Sequence, residues 1–171
     1  TDILRTTDVT YADNGDMVRS FVETFAGSTV YSMQQTTSAD GLSSTRVFDV
    51  DGDGTTDSAT IVNTVLDANG NRTTTTETRY ADGDRQSRIV ETVSADGRTT
   101  NRETDYDGNG IADKISETVI ASDGSQAVTF HSFNKAGILN SSFVTETSSD
   151  SLITTETRFD ATDGTTTVQT T

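Results

Sequence analysis

Apolar and polar positions alternate along the chain in short bursts, and nowhere is a helical period sustained. Segments 17–25, 59–66, 88–93, 115–120 and 127–133 are rich in Val, Ile, Phe and Thr and are bounded by Asp-Gly or Asn-Gly turns. That combination predicts β-strands joined as hairpins. Glycine marks the turns in two interleaved series: Gly15, Gly41, Gly70, Gly97 and Gly124, then Gly27, Gly54, Gly83, Gly110, Gly137 and Gly164. Members of each series stand 26 to 29 residues apart, so a turn arrives every 13 or 14 residues through most of the chain. Removing each turn leaves strands of about nine or ten residues, roughly 30 Å long.

A longer period lies over this one. Ser38-Ala-Asp-Gly41 returns 56 residues later as Ser94-Ala-Asp-Gly97, and in degraded form as Ser148-Ser-Asp-Ser151. Asp49-Val-Asp-Gly-Asp-Gly54 returns after 56 residues as Asp105-Tyr-Asp-Gly-Asn-Gly110, with a degraded relative at Asp160–Gly164. The expected fold is therefore all-β: an elongated antiparallel repeat array of about twelve strands, built as stacked β-hairpins or as a solenoid-like rod. A closed propeller is the alternative, but three superrepeats fall short of the usual 4–8 blades. Residues 1–171 read as one repetitive β region of 27-residue, two-strand repeats, taken from a longer chain.

Composition explains why such a fold needs help. Leu, Ile, Val and Phe number only 34 of 171 residues, and the formal net charge is −15. A chain this polar has little apolar surface to set against an ordering entropy of roughly 1–2 kcal/mol per residue. Thr, with 35 residues, supplies β-branched positions that suit a pleated surface without adding charge. Acidity disfavours nucleic acid and anionic membrane surfaces as partners. No apolar run approaches the ~18 residues of a membrane span. Absence of Cys removes disulfides, thiolate metal sites and thiol nucleophiles. His131, the single histidine, has no Ser and Asp in a specific catalytic order around it and reads as a sheet-surface residue. The chain is not expected to be an enzyme.

Two segments carry distinctive chemistry. Asp49, Asp51, Asp53 and Asp57 hold acids at positions 1, 3, 5 and 9 of one loop, and Asp105, Asp107, Asn109 and Asp113 repeat the pattern with Asn at position 5. Hard cations such as calcium need six to eight oxygens at about 2.3–2.6 Å. Alternate residues of a tight turn can aim short carboxylates inward, glycine at position 6 permits the turn, and the carbonyls of Thr55 and Ile111 can add a neutral oxygen. Position 12 is Thr60 or Ser116, so the bidentate Glu of a helix-loop-helix calcium hand is missing. With strand-like flanks, the pattern instead resembles the D-x-D-x-D-G-x-x-D loop between β-strands of integrin-type propeller repeats. On that resemblance Asp57 and Asp113 are direct ligands.

All seven glutamates precede a threonine, at intervals that follow the repeat, and Arg46, Arg79 and Arg158 precede an aromatic and a turn. They are expected on a solvated face with weak Arg–Glu pairing.

The superrepeat also resembles the tandem-repeat region of long exported alphaproteobacterial calcium-binding, RTX-associated adhesin-like proteins. The matching pieces are SADGLSST, DVDGDGTTDSAT, DANGNRTTTTETRYADGD, SADGRTT and DYDGNGIAD, in order, from Tyr11 to about Gly164. The resemblance implies an extracellular or cell-surface setting with millimolar calcium. It implies a stalk or spacer of adhesin or biofilm type whose partners are calcium and neighbouring repeats or identical subunits. A filament subunit and a non-catalytic or carbohydrate-binding module of a secreted enzyme are the alternatives. The last is disfavoured by the absence of Trp and the scatter of Tyr11, Tyr31, Tyr80 and Tyr106.

Overall fold

The structure, a computed structural model, describes residues 2–171. Thirteen strands follow one another: β1 (Ile3–Tyr11), β2 (Met17–Phe25), β3 (Ser28–Thr37), β4 (Ser43–Asp49), β5 (Ser58–Leu66), β6 (Arg72–Tyr80), β7 (Arg85–Val93), β8 (Thr99–Asp105), β9 (Lys114–Ile120), β10 (Gln126–Phe133), β11 (Leu139–Thr147), β12 (Thr154–Asp160) and β13 (Thr165–Thr170). They hydrogen-bond in sequence order in one sheet, and the described residues contain no helix. The 27-residue half-repeat is thus a hairpin, not a coil of a parallel solenoid, and the array has one strand more than the turn count suggested. Contacts divide the chain into two compact units. One runs to Val65 and includes Thr75–Ser87, and the other comprises Leu66–Thr74 and Arg88–Thr171.

In the first unit, register runs Thr7↔Phe21↔Met33↔Phe48↔Ser58 across β1 to β5. The period of two sends the larger side chains to one face, where Phe21 meets Tyr31 edge-on with ring centroids 5.8 Å apart. The other face carries Ser20, Ser32 and Asp49. In the second unit, Ser116↔Phe130↔Phe143↔Arg158 form the corresponding row. Phe130 and Phe143 stack at 4.9 Å, and the Arg158 guanidinium lies 5.7 Å from the Phe143 ring. Among the described residues no apolar side chain is buried, and the buried ones are Asp49, Thr104 and Asp105. The little apolar surface is spread along sheet faces. Cross-strand pairs, worth roughly 0.2–1 kcal/mol each, therefore do the packing that a core would otherwise do.

Three glutamates form ion pairs in which the carboxylate is half-buried and the arginine exposed. Glu77 meets Arg79 at 2.6 Å and Glu23 meets Arg5 at 2.7 Å, while Glu156 contacts Arg158. Among the described residues Arg46 pairs with no glutamate, and it donates to the Gln35 side-chain amide oxygen Oε1 at 2.9 Å.

Turn chemistry repeats more faithfully than the sequence does. In each Ser-x-Asp-x turn the serine hydroxyl (Ser38, Ser94 or Ser148) donates to the aspartate two residues on at 2.6 Å. It also accepts the N–H that closes the turn, from Ser43, Thr99 or Ile153. These serine bonds hold the Asp40, Asp96 and Asp150 carboxyls below their usual range. Turns also lock laterally. Asp16 accepts the Ala39 N–H and Asn71 accepts the Ala95 N–H, each at 3.0 Å. Each alanine is positioned over a glycine, Gly15 or Gly70, where a Cβ would lie 3.1 or 3.3 Å from the alanine methyl.

The degraded third turn keeps this geometry at a cost. Ser151 occupies the glycine place with φ 60. A left-handed conformation costs an L-residue about 1–2 kcal/mol. Ser151→Gly is therefore expected to stabilise the chain by about 1 kcal/mol. A urea-unfolding midpoint that falls on this substitution would contradict that strain.

Candidate metal sites

Loop 1 (50–57) joins β4 to β5 and loop 2 (106–113) joins β8 to β9. Each is tied by its first aspartate. The Asp49 carboxylate accepts the Gly52 N–H at 2.6 Å and the Gly54 N–H at 3.0 Å. Asp105 does the same for Gly108 at 2.7 Å and Gly110 at 2.9 Å. Asp49 is 8% and Asp105 6% exposed, so these donors replace the water each charge has lost. The last aspartate closes the loop from the other end. The Asp57 carboxylate accepts the Val50 N–H at 2.6 Å while its own N–H donates to the Phe48 carbonyl at 2.8 Å. Asp113 repeats this with Tyr106 at 2.7 Å and Thr104 at 2.8 Å.

This winding brings three carboxylates together twice. Oxygens of Asp49, Asp51 and Asp57 lie within 4.8 Å of one another, as do those of Asp105, Asp107 and Asp113. Three like charges at that spacing repel one another, and a bound cation reverses the sign of the interaction. The arrangement can hold a metal ion through oxygen alone, the donor type of hard cations. Position 5 behaves differently from the other acids. Asp53 accepts both the N–H and the hydroxyl of Thr55 at 2.7 Å, and these bonds, the hydroxyl first, lower its carboxyl pKa below the usual range. Asn109 likewise accepts the Ile111 N–H at 2.7 Å. Asp53 is not one of the three carboxylates that lie within 4.8 Å of one another. Its carboxylate is taken up in tightening the turn at Thr55.

Two features of the loops are not local in sequence. Loop 1 presses on the preceding hairpin, at the start of β3: a Cβ built on Gly52, whose φ is 75, would lie 2.3 Å from the Thr29 carbonyl oxygen. Loop 2 meets the β10–β11 turn, whose Lys135 ammonium stands 3.2 Å from Asp107. Partial desolvation raises the Asp107 carboxyl, and the hydrogen bonds from Lys135 and the Asn109 N–H more than offset it, leaving it below the usual range. Neither contact has a motif. The repeat of Gly52 as Gly108 is the only sequence trace of the first.

At the third, degraded position, Asp163 accepts the N–H and hydroxyl of Thr165 at 2.9 and 2.6 Å, as Asp53 does for Thr55. No carboxylate triad forms there among the described residues. His131 lies between Ile115 and Ser142, with its Nδ1 shielded from water and without a hydrogen-bond partner. The chain matches no protein-family model, and no curated protein matches it.

Proposed function

We propose that this chain is a calcium-stabilised structural repeat, a stalk or spacer of a secreted or cell-surface bacterial protein of adhesin or biofilm type. The observation that carries the reading is the pair of carboxylate triads at the same place in the superrepeat, in a sheet with no buried apolar side chain. A protein that lacks a core gains most from ligands that bind only its folded form. Calcium suits the donors, since an irregular cage of carboxylates and backbone carbonyls fits its flexible coordination better than the strict octahedron of magnesium. In the proposed sites Asp49, Asp51 and Asp57 hold one ion, with the Thr55 carbonyl, and Asp105, Asp107 and Asp113 hold the other, with the Ile111 carbonyl. Asp53 and Asn109 brace the turns.

Extracellular calcium-binding modules have dissociation constants of about 10⁻⁴–10⁻³ M, a range filled only where calcium is millimolar. That fits an exported chain which stays loose where calcium is scarce and sets where it is abundant. Calorimetric titration tests the reading. Two calcium ions per chain are expected, with dissociation constants in that range. A chain that takes up no calcium at millimolar concentration is not a calcium-stabilised repeat.

A further inference from the structure

The two loops share a plan but not a charge. Loop 1 holds four carboxylates, Asp49, Asp51, Asp53 and Asp57, whereas loop 2 holds three because Asn109 stands where loop 1 has Asp53. Cross-strand register places Ser32 opposite Asp49 but Arg88 opposite Asp105. The largest difference comes from the β10–β11 turn. Its Lys135 ammonium lies 3.2 Å from the Asp107 carboxylate, and Asn109 donates from its amide to the Lys135 carbonyl at 3.5 Å. Gly137 of the same turn packs on Ile111, with an added Cβ only 3.3 Å from its methyl. The turn is therefore seated on loop 2, and the lysine reaches the triad from a fixed base. In the preceding repeat, Ala81 stands two residues before Gly83 as Lys135 stands before Gly137, so loop 1 has no such lysine at that place.

We propose that Lys135 is a tethered counter-cation for loop 2, occupying the charge role of the metal and giving the two loops unequal calcium affinities. This rests on the calcium reading above. The lysine side chain is 85% exposed, so an arriving ion can displace it into water at little steric cost. Displacement still costs the Lys–Asp107 attraction, and the ammonium remains near a dication that it repels. Loop 1 has more negative charge and no lysine seated on it, and it fills at lower calcium. Loop 2 is partly neutralised beforehand, is held without metal, and fills later. One chain then responds to calcium in two stages. The first stage sets the unit containing β4 and β5, and the second sets the unit containing β8 and β9.

The test is calorimetric titration of calcium into the intact chain and into Lys135→Gln, Lys135→Arg, Asp57→Ala and Asp113→Ala variants. Two unequal sites are expected in the intact chain, the tighter lost with Asp57→Ala and the weaker with Asp113→Ala. Lys135→Gln is expected to tighten the weaker site about tenfold and leave the tighter one unchanged, while Lys135→Arg keeps it weak. Equal affinities in the intact chain, or a weaker site indifferent to Lys135→Gln, would overturn the inference and leave the calcium reading standing. Absence of calcium binding in every chain would overturn both.

Discussion

In 5 mM calcium the chain is expected to melt about 10 °C higher than in EDTA, and the double variant Asp57→Ala, Asp113→Ala to lose that difference. The magnitude follows from linkage. An ion that binds only the folded form with a dissociation constant of about 10⁻⁴ M contributes roughly 2.3 kcal/mol at 5 mM, so two sites contribute roughly 4–5 kcal/mol. For a chain of this length each kcal/mol moves the midpoint by about 2–4 °C. Asp57 and Asp113 are the right residues to remove because each does two jobs. Each adds a carboxylate to its triad, and each accepts the N–H of the loop's first residue. The double variant is therefore also expected to melt lower than the intact chain in EDTA. Its insensitivity to calcium separates the metal's share from the loop's. Equal calcium shifts in the intact and doubly substituted chains would place the calcium effect elsewhere.

Gly52→Ala is expected to cost far more than Gly54→Ala, although the two glycines are neighbours in one motif and both have positive φ. At Gly54 an added Cβ meets nothing within 4 Å, so only the left-handed conformation is penalised, at about 1–2 kcal/mol. At Gly52 the same Cβ would lie 2.3 Å from the Thr29 oxygen, 2.6 Å from the Thr29 carbonyl carbon and 2.8 Å from the Val30 Cα. All three are backbone atoms of a paired strand, which cannot swing aside as a side-chain tip would. Loop 1 must then lift off, and the Gly52 N–H leaves the buried Asp49 carboxylate that it serves at 2.6 Å. A buried carboxylate deprived of a donor adds its own penalty of about 1–3 kcal/mol. The expected loss at Gly52 is about 3–5 kcal/mol in urea unfolding. Similar losses at the two positions would show that the Thr29 contact yields easily.

How much of this was legible from the residues depends on distance along the chain. The strands were legible because each lies between two glycine-centred turns and is rich in β-branched residues: the expected 17–25 is β2, and the expected 115–120 differs from β9 by one residue. Sequential antiparallel pairing followed from the shortness of the turns. The choice of hairpins over a solenoid did not, because Thr-rich strands polar on both faces carry little mark of which neighbour covers them. Within the acidic loops, the spacing placed Asp49, Asp51 and Asp57 correctly around one point, since position 1 at a strand end and position 9 at the next are fixed by the ladder. Position 5 carries a second bonding option that spacing alone does not show. Asp53 has an alternative partner two residues away in Thr55, and a short polar side chain readily takes a local hydrogen bond in a turn. Thr29 and Lys135 were out of reach. They lie more than twenty residues from their loops, and only the register of the sheet brings them there.

The most direct measurement is a crystal structure grown in millimolar calcium, with the ion identified by its anomalous scattering. Calcium stabilisation of the repeat predicts one ion in each loop. Each would be bound by oxygens of Asp49, Asp51 and Asp57 or of Asp105, Asp107 and Asp113, at about 2.3–2.6 Å, with the Lys135 ammonium moved off Asp107. Ordered loops carrying no ion at that concentration, with their aspartates satisfied by backbone N–H groups alone, would contradict it.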